Sequence, residues 1–209
     1  CDQFIKELIK LVPELNDFHQ LPEYKHLRPT WTNTLTKDFQ KKERTLIRKY
    51  HKLVKEKKPK SFYDEVFLDD LKIMIKESKY IALDHVPIDA LENFPLSHMS
   101  ALQGETDYEF TDKKSYDDFL HRFKGIPEIT DTIIENMKRG MRVKDTIPRM
   151  IVFDLLDQYK NALDQDLDEI EVPKSSLEDV KKHVTTYVFP SIEKLKTFLE
   201  NEYICKCTE

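Results

Sequence analysis

Apolar side chains recur at intervals of three or four residues along most of this chain, the spacing that places them on one face of an α-helix. The first such run is predicted to end at Pro13, because proline has no amide hydrogen for the helix interior. Two longer helices are predicted over residues 36–56 and 63–83, and the short loop at Pro59 favours an antiparallel pair. Residues 13–29 contain three prolines and are predicted to form a loop.

The helical spacing stops at residues 84–110 and resumes after them. This irregular stretch is apolar and aromatic from Phe94 to Phe110, which predicts an ordered segment that serves as an interface or lines a cleft. Thr111 is a suitable N-cap for a helix that ends at Gly125. The helix after it is predicted to end at Gly140 for the same reason.

Two more helices are predicted in the C-terminal part of the chain. Asp145 or Thr146 caps the first of them, with Pro148 in its first turn. The second has apolar residues at helical spacing over residues 177–199, and the stripe keeps its phase through Pro190. One helix with a kink at this proline is therefore expected, rather than two separate helices.

These patterns predict an all-α fold, an array of about six to eight helices in antiparallel pairs that forms a single module over residues 1–209. The composition agrees, since the chain has three glycines and sheet-rich or phosphate-loop folds usually need more. The net charge of −5, with acids and bases interspersed, argues against a nucleic-acid partner. No apolar run approaches the roughly 20 residues that a membrane span needs.

Three segments carry a resemblance to a known family. They are PLSHM at residues 95–99, the stretch from SYDDFL to IP at residues 115–127, and the stretch from MKRG to PR at residues 137–149. In these segments the chain resembles domain-of-unknown-function family 885, a mostly bacterial group placed among the zinc-metallopeptidase-like proteins. The resemblance extends loosely over nearly the whole chain.

The resemblance implies peptidase chemistry from an H-E-x-x-H helix in a C-terminal half. In that motif two histidines on one helix face bind zinc and the glutamate acts as base. None of the seven histidines of this chain is followed by glutamate. The expectation is therefore a shortened or N-terminal helical portion, with no cofactor of its own and with zinc supplied only by the C-terminal half.

His98, Gln103 and Arg149 are the candidate residues for a substrate cleft. His98 and Gln103 lie in the irregular stretch, and His98 is more simply explained as a structural histidine bonded to backbone. Arg149 matches the Pro-Arg pair of the resembled family and is able to hold a carboxylate with two hydrogen bonds. An intramolecular salt bridge is the simpler use of Arg149. No residue is assigned a catalytic or metal-binding role.

The three cysteines do not form a disulfide framework. Cys205 and Cys207 are interpreted as incidental thiols in preference to metal ligands, because further ligands are missing nearby. Cys1 is what lipoprotein processing leaves at an N-terminus, and many members of the resembled family are exported. An exported or lipid-anchored protein is thus expected if Cys1 is a processed terminus, although an expression boundary explains it equally well.

Two functions compete on these grounds. The preferred one is a non-catalytic N-terminal portion of a metallopeptidase-like protein, forming one wall of a substrate cleft that the C-terminal half completes. The alternative is a self-contained helical module that binds a protein partner. A complete enzyme with another mechanism has the least support, because phosphate-loop and nucleophile-elbow motifs are missing from the sequence.

Overall fold

A computed structural model describes most of the chain as helices. The described residues are 2–19, 21–27, 30–77, 113–169 and 177–208. The chain divides into two units, Cys1–Asp84 and His85–Glu209. All regular elements among the described residues are helical, apart from an isolated bridge between Pro148 and Thr208. The predicted all-α fold is therefore confirmed, whereas the single module over the whole chain stays a prediction.

The first unit contains four α-helices within its described residues. They are α1 (Asp2–Leu11), α2 (Asn16–His19), α3 (Lys37–Lys57) and α4 (Phe62–Glu77), with 3-10 turns at Pro13–Leu15 and Pro22–Tyr24. The prediction of a plain loop after α1 is wrong, because Pro13 and Pro22 each open a short 3-10 turn. Proline costs no hydrogen bond at such a first position, and its fixed φ suits the turn. The part of α4 predicted beyond Glu77 lies outside the described residues.

Helix α3 begins where the sequence predicted it. The Thr36 hydroxyl accepts a hydrogen bond from the Phe39 amide at 3.2 Å, which satisfies one of the unpaired amides of the first turn. The helix ends at Lys57, and the C-cap residue Lys58, with φ of 56°, turns the chain ahead of Pro59. The connection to α4 is consequently short, and the two helices pack together as predicted.

The core of the first unit joins α1, α3 and α4. Its buried members are Phe4, Ile47, Tyr50 and Leu71. The Phe4 ring meets the rings of Tyr50 and Phe67 edge-on, with centroids 5.2 and 5.5 Å apart. Above this core the Glu7 carboxylate accepts hydrogen bonds from the Lys49 ammonium at 2.6 Å and the Tyr50 hydroxyl at 2.9 Å. These two donors lower the pKa of Glu7.

The second unit contains five α-helical segments within its described residues. They are α5 (Lys113–Arg122), α6 (Ile126–Val143), α7 (Arg149–Leu163), α8 (Leu177–His183) and α9 (Phe189–Phe198). A 3-10 turn at Phe123–Gly125 joins α5 to α6, and π-helical turns at Val184–Val188 and Leu199–Tyr203 follow α8 and α9. Thr111 and the irregular stretch at residues 84–110 lie outside the described residues.

Two helix boundaries differ from the sequence prediction. Helix α6 does not end at Gly140 but continues to Val143, and Lys144 takes the left-handed conformation with φ of 60°. The Asp145 amide then donates to the Gly140 carbonyl at 3.0 Å, which satisfies a carbonyl of the last turn. Helix α7 starts after Pro148, which itself occupies the N-cap position, so the predicted capping by Asp145 or Thr146 is wrong.

The C-terminal helix, residues 177–203, runs without interruption through Pro190. Its stripe of buried side chains comprises Val180, Val184, Val188, Ile192, Leu195 and Leu199. The prediction of one continuous packed helix is confirmed. The distortion takes the form of a π-helical turn just before Pro190, where the Phe189 amide donates to the Val184 carbonyl. Proline cannot donate and crowds the preceding turn, and a wider turn relieves both effects.

Of the helices within the described residues, none is both long enough and apolar enough to span a bilayer.

Candidate functional site

Arg149 is the candidate cleft residue that the described part of the chain contains. It begins α7, directly after Pro148 at the N-cap. His98 and Gln103 lie outside the described residues. The grouping of these three side chains in one cleft therefore stays a prediction, and the described part of the candidate site consists of Arg149 and its surroundings.

The backbone around Arg149 is held by the end of the C-terminal helix and the residues that follow it. The Ile147 amide donates to the buried Tyr203 hydroxyl at 3.0 Å, and the Arg149 amide donates to the Thr208 carbonyl at 2.9 Å. The Thr146 hydroxyl donates to the Lys206 carbonyl at 3.3 Å. We call this contact between residues 146–149 and residues 203–208 the C-terminal clasp. It fixes the start of α7 and with it the position of Arg149.

The Arg149 side chain is half-buried within the clasp. Its Nε is enclosed without a hydrogen-bond acceptor among the described residues. No carboxylate in that part of the chain forms an ion pair with it, so the intramolecular salt bridge stays a prediction. The guanidinium offers several hydrogen-bond donors in one plane. Such a group on a fixed backbone is suited to binding a carboxylate with two hydrogen bonds.

The two C-terminal thiols have different surroundings. Cys205 is exposed, whereas Cys207 is buried in the clasp, and both are free thiols. Burial raises the pKa of Cys207, and the nearby Arg149 charge only partly opposes that shift. Because the thiolate is the reactive form, this environment suppresses nucleophilic chemistry at Cys207. The Cys207 thiol instead donates to the Tyr203 carbonyl at 3.4 Å, which makes it a packing residue of the clasp.

Comparison with known protein families gives a match over most of the chain. Residues 21–209 match the family described as bacterial protein of unknown function (DUF885). The chain belongs to DUF885. No curated protein matches it. The matched region includes both units in large part, together with the whole C-terminal clasp, so the resemblance first noted in three short segments holds over most of the sequence.

Within the described ranges, no group of three or more His, Cys, Asp and Glu residues is arranged to hold a metal ion. Two of the described histidines, His51 and His121, lie on α3 and α5.

Glu43 is a residue of the DUF885 chain that the sequence analysis passed over. It is half-buried on α3, and burial raises the pKa of its carboxyl group. Its spacing was a usable signal, because it lies between the buried Phe39 and Ile47 at intervals of four residues. A carboxylate at a position that the helical period reserves for an apolar side chain departs from the local pattern, and such departures are commonest at functional sites.

We expect Glu43→Gln to stabilise the first unit at about pH 7.5 by about 0.5–1 kcal/mol. A carboxyl whose pKa is higher in the folded than in the unfolded state binds its proton more tightly when folded. The charge of Glu43 therefore costs stability above the folded-state pKa, and this cost disappears as the pH falls below the unfolded-state pKa. The gain from Glu43→Gln should accordingly vanish on acidification to about pH 4.

Urea unfolding of the parent and of Glu43→Gln across this pH range measures the effect. Glu65→Gln is the matched control, because Glu65 is exposed on α4 of the same unit. If Glu43→Gln is no more stable than the parent at about pH 7.5, or if the exposed control gains as much, burial of the Glu43 charge is not the cause.

Proposed function

We propose that this DUF885 chain is a non-catalytic helical portion of a metallopeptidase-like protein. It forms one wall of a substrate cleft, and a C-terminal half carrying an H-E-x-x-H helix supplies the zinc ion and the base. The substrate is a peptide or a related carboxylate-bearing molecule. The proposal keeps this chain in a binding role and places the reaction chemistry elsewhere.

One observation carries the proposal. The chain matches DUF885 over residues 21–209, and none of its seven histidines is followed by glutamate. The family resemblance suggests zinc-peptidase chemistry, whereas the chain lacks the helix that binds zinc through two histidines four residues apart. A helical portion that binds substrate and leaves the zinc chemistry to a C-terminal half is consistent with both the family match and the missing motif.

Arg149 is the side chain we assign to this wall among the described residues. The clasp fixes its backbone through the Thr208 carbonyl, and its guanidinium forms no ion pair among the described residues. It lies in the first turn of α7, where the positive end of the helix dipole also favours an anionic group. In the proposed cleft Arg149 binds a substrate carboxylate, with His98 and Gln103 as further candidates.

A self-contained module that binds a protein partner is the second candidate function. Large apolar side chains exposed on α4, among them Phe62 and Tyr63, favour it. The two candidates differ in what they require of the natural gene. A cleft wall requires an H-E-x-x-H motif in the reading frame beyond the position of Glu209, and a self-contained module does not.

We expect the purified 209-residue chain to bind far less than one zinc ion per molecule and to cleave no peptides. The physical reason is that a zinc site needs three or four converging donors, and the described residues bring no such group together. The chain is equilibrated with zinc, dialysed, and assayed by elemental analysis and with a fluorogenic peptide library.

Stoichiometric zinc, or cleavage that a chelator abolishes, would show that the chain carries its own active site and would overturn the binding role. Sequencing of the natural reading frame tests the other half of the proposal. A frame that stops at Glu209, or continues without H-E-x-x-H, removes the cleft role and leaves the interaction module.

A further inference from the structure

Among the described residues of the first unit, those of helix α4 include the most exposed apolar side chains. Phe62, Tyr63, Val66 and Ile73 have exposed fractions of 73%, 80%, 41% and 52%. We call these four residues and the charged side chains between them the α4 outer face.

The α4 outer face is distinct from the face that packs into the core. At about 100° per residue, Phe62, Val66 and Ile73 lie within about 40° of one another around the helix. The fully buried Leu71 lies about 180° from Phe62 on the same helical wheel. The core is therefore already complete without the outer face, and α4 is apolar on two opposite sides.

Two aromatic rings form one end of this face. Phe62 and Tyr63 contact each other edge-on, with ring centroids 6.1 Å apart. Val66 follows one turn after Phe62, and Ile73 two turns after Val66, so these three side chains make a stripe along the helix axis, with Tyr63 beside Phe62 at one end. Large aromatic side chains in a stripe of this kind are typical anchors for a partner helix, whose contacting side chains recur at intervals of three, four and seven residues.

The charges between the apolar residues indicate what kind of partner fits. The charged side chains along the outer face are four carboxylates and two ammonium groups, an excess of two negative charges. They are those of Glu65, Asp69, Asp70 and Glu77, and of Lys72 and Lys76. Lys72 is bound to Asp69 at 2.7 Å, which leaves an excess of negative charge beside the apolar stripe. A partner that places lysine or arginine beside its own apolar side chains complements this face.

The same charge excess disfavours two other occupants. A second copy of the chain would bring like charges together across a two-fold interface, since both copies present the same patch. An anionic membrane surface would be repelled by the carboxylates, because it attracts basic segments. Neither obstacle applies to a basic helix.

We propose that the α4 outer face is a docking site for a basic amphipathic helix of a partner protein. The inference does not rest on the cleft role, since it involves neither Arg149 nor the C-terminal clasp. The partner helix lies along α4, with its apolar side chains against Phe62, Val66 and Ile73 and its cationic side chains near Asp70 and Glu77.

A synthetic peptide serves as the probe of this site. It is a fluorescein-labelled helix of about 18 residues, long enough to hold helical structure when bound, with leucines on one face and lysines on the other. Its fluorescence anisotropy is followed as the full 209-residue chain is added. We expect saturable binding that weakens at high salt, and a loss of at least about tenfold in affinity for the double variant Phe62→Ser/Ile73→Ser.

The matched control is Met150→Ser/Phe153→Ser, which removes two exposed apolar side chains from α7 in the other unit. This control should bind the peptide as the parent does. Asp70→Lys/Glu77→Lys should also weaken binding, whereas a peptide with glutamates in place of the lysines should not bind. All variants alter exposed side chains, and thermal melting shows that each is folded.

Several outcomes overturn the proposal. Equal affinity for the parent and the α4 double variant places the peptide elsewhere. Equal losses for the α4 and α7 variants mean that the peptide has no preferred site. Binding of the acidic peptide would show that charge complementarity does not determine what binds the α4 outer face. If light scattering shows a dimer that Phe62→Ser/Ile73→Ser abolishes, the occupant of the α4 outer face is a second copy of the chain. If the chain binds anionic vesicles and the same double variant abolishes that binding, the occupant is a membrane.

Discussion

Val184→Asp is expected to destabilise the second unit by about 3–5 kcal/mol, the usual cost of an uncompensated buried charge. Val184 is fully buried in the π-helical turn of the C-terminal helix. That turn packs against α6 and against the 3-10 turn at Phe123–Gly125. The loss is a large fraction of the stability of a typical domain, about 5–15 kcal/mol, so the unit should unfold at a much lower denaturant concentration.

Chemical unfolding followed by circular dichroism measures this loss, and solubility of the expressed protein gives a second readout. Thr186→Asp is the matched control, because it places the same charge on an exposed position of the same π-helical turn. The control should change stability by no more than about 0.5 kcal/mol. A Val184→Asp protein that unfolds at the same denaturant concentration as the parent would contradict the packing of the C-terminal helix.

The C-terminal helix could be predicted from sequence because its apolar period is long and unbroken. Each of six buried positions from Val180 to Leu199 follows the last by three or four residues, and no competing pattern overlaps them. Pro190 was a weaker signal than the stripe around it. The period did not reveal that the distortion would be a π-helical turn, because that depends on backbone geometry at one proline and leaves the side-chain phase nearly unchanged.

Predictions from glycine and from apolar spacing were less reliable where the same residue type can serve two structural roles. Gly140 was predicted to end α6, since glycine is favoured where the chain turns left-handed. It is instead buried inside the helix, and Lys144 takes the left-handed position. Val66 follows the helical period of α4 and yet is exposed, because α4 is apolar on two faces and the period does not say which face is buried.

The candidate site was predictable in part. Arg149 could be selected by its place in a recognisable segment, but the clasp that holds it could not be foreseen. The Ile147 amide and the Tyr203 hydroxyl are 56 positions apart, and every non-proline residue has a backbone amide. By contrast, Glu43 could have been found, because it interrupts the stripe formed by Phe39 and Ile47.

Tyr203→Phe is expected to cost the second unit about 1–3 kcal/mol, the penalty for leaving a buried donor unsatisfied. The Tyr203 side chain is fully buried, and its hydroxyl accepts the Ile147 amide hydrogen at 3.0 Å. Phenylalanine keeps the ring and its contact with Phe198, 5.8 Å between centroids. The substitution therefore removes one hydrogen bond of the clasp with little change in packing, and urea unfolding measures the loss.

Hydrogen exchange in the same variant distinguishes a cooperative clasp from a set of separate bonds. The Ile147 amide should exchange at least about tenfold faster. If the clasp opens as a unit, the Arg149 amide bound to the Thr208 carbonyl should lose protection with it. Tyr187→Phe, at a half-buried position of the same helix, is the control and should leave both amides unchanged. A Tyr203→Phe protein with parental stability and parental exchange at Ile147 would mean that the clasp does not hold Arg149 in place.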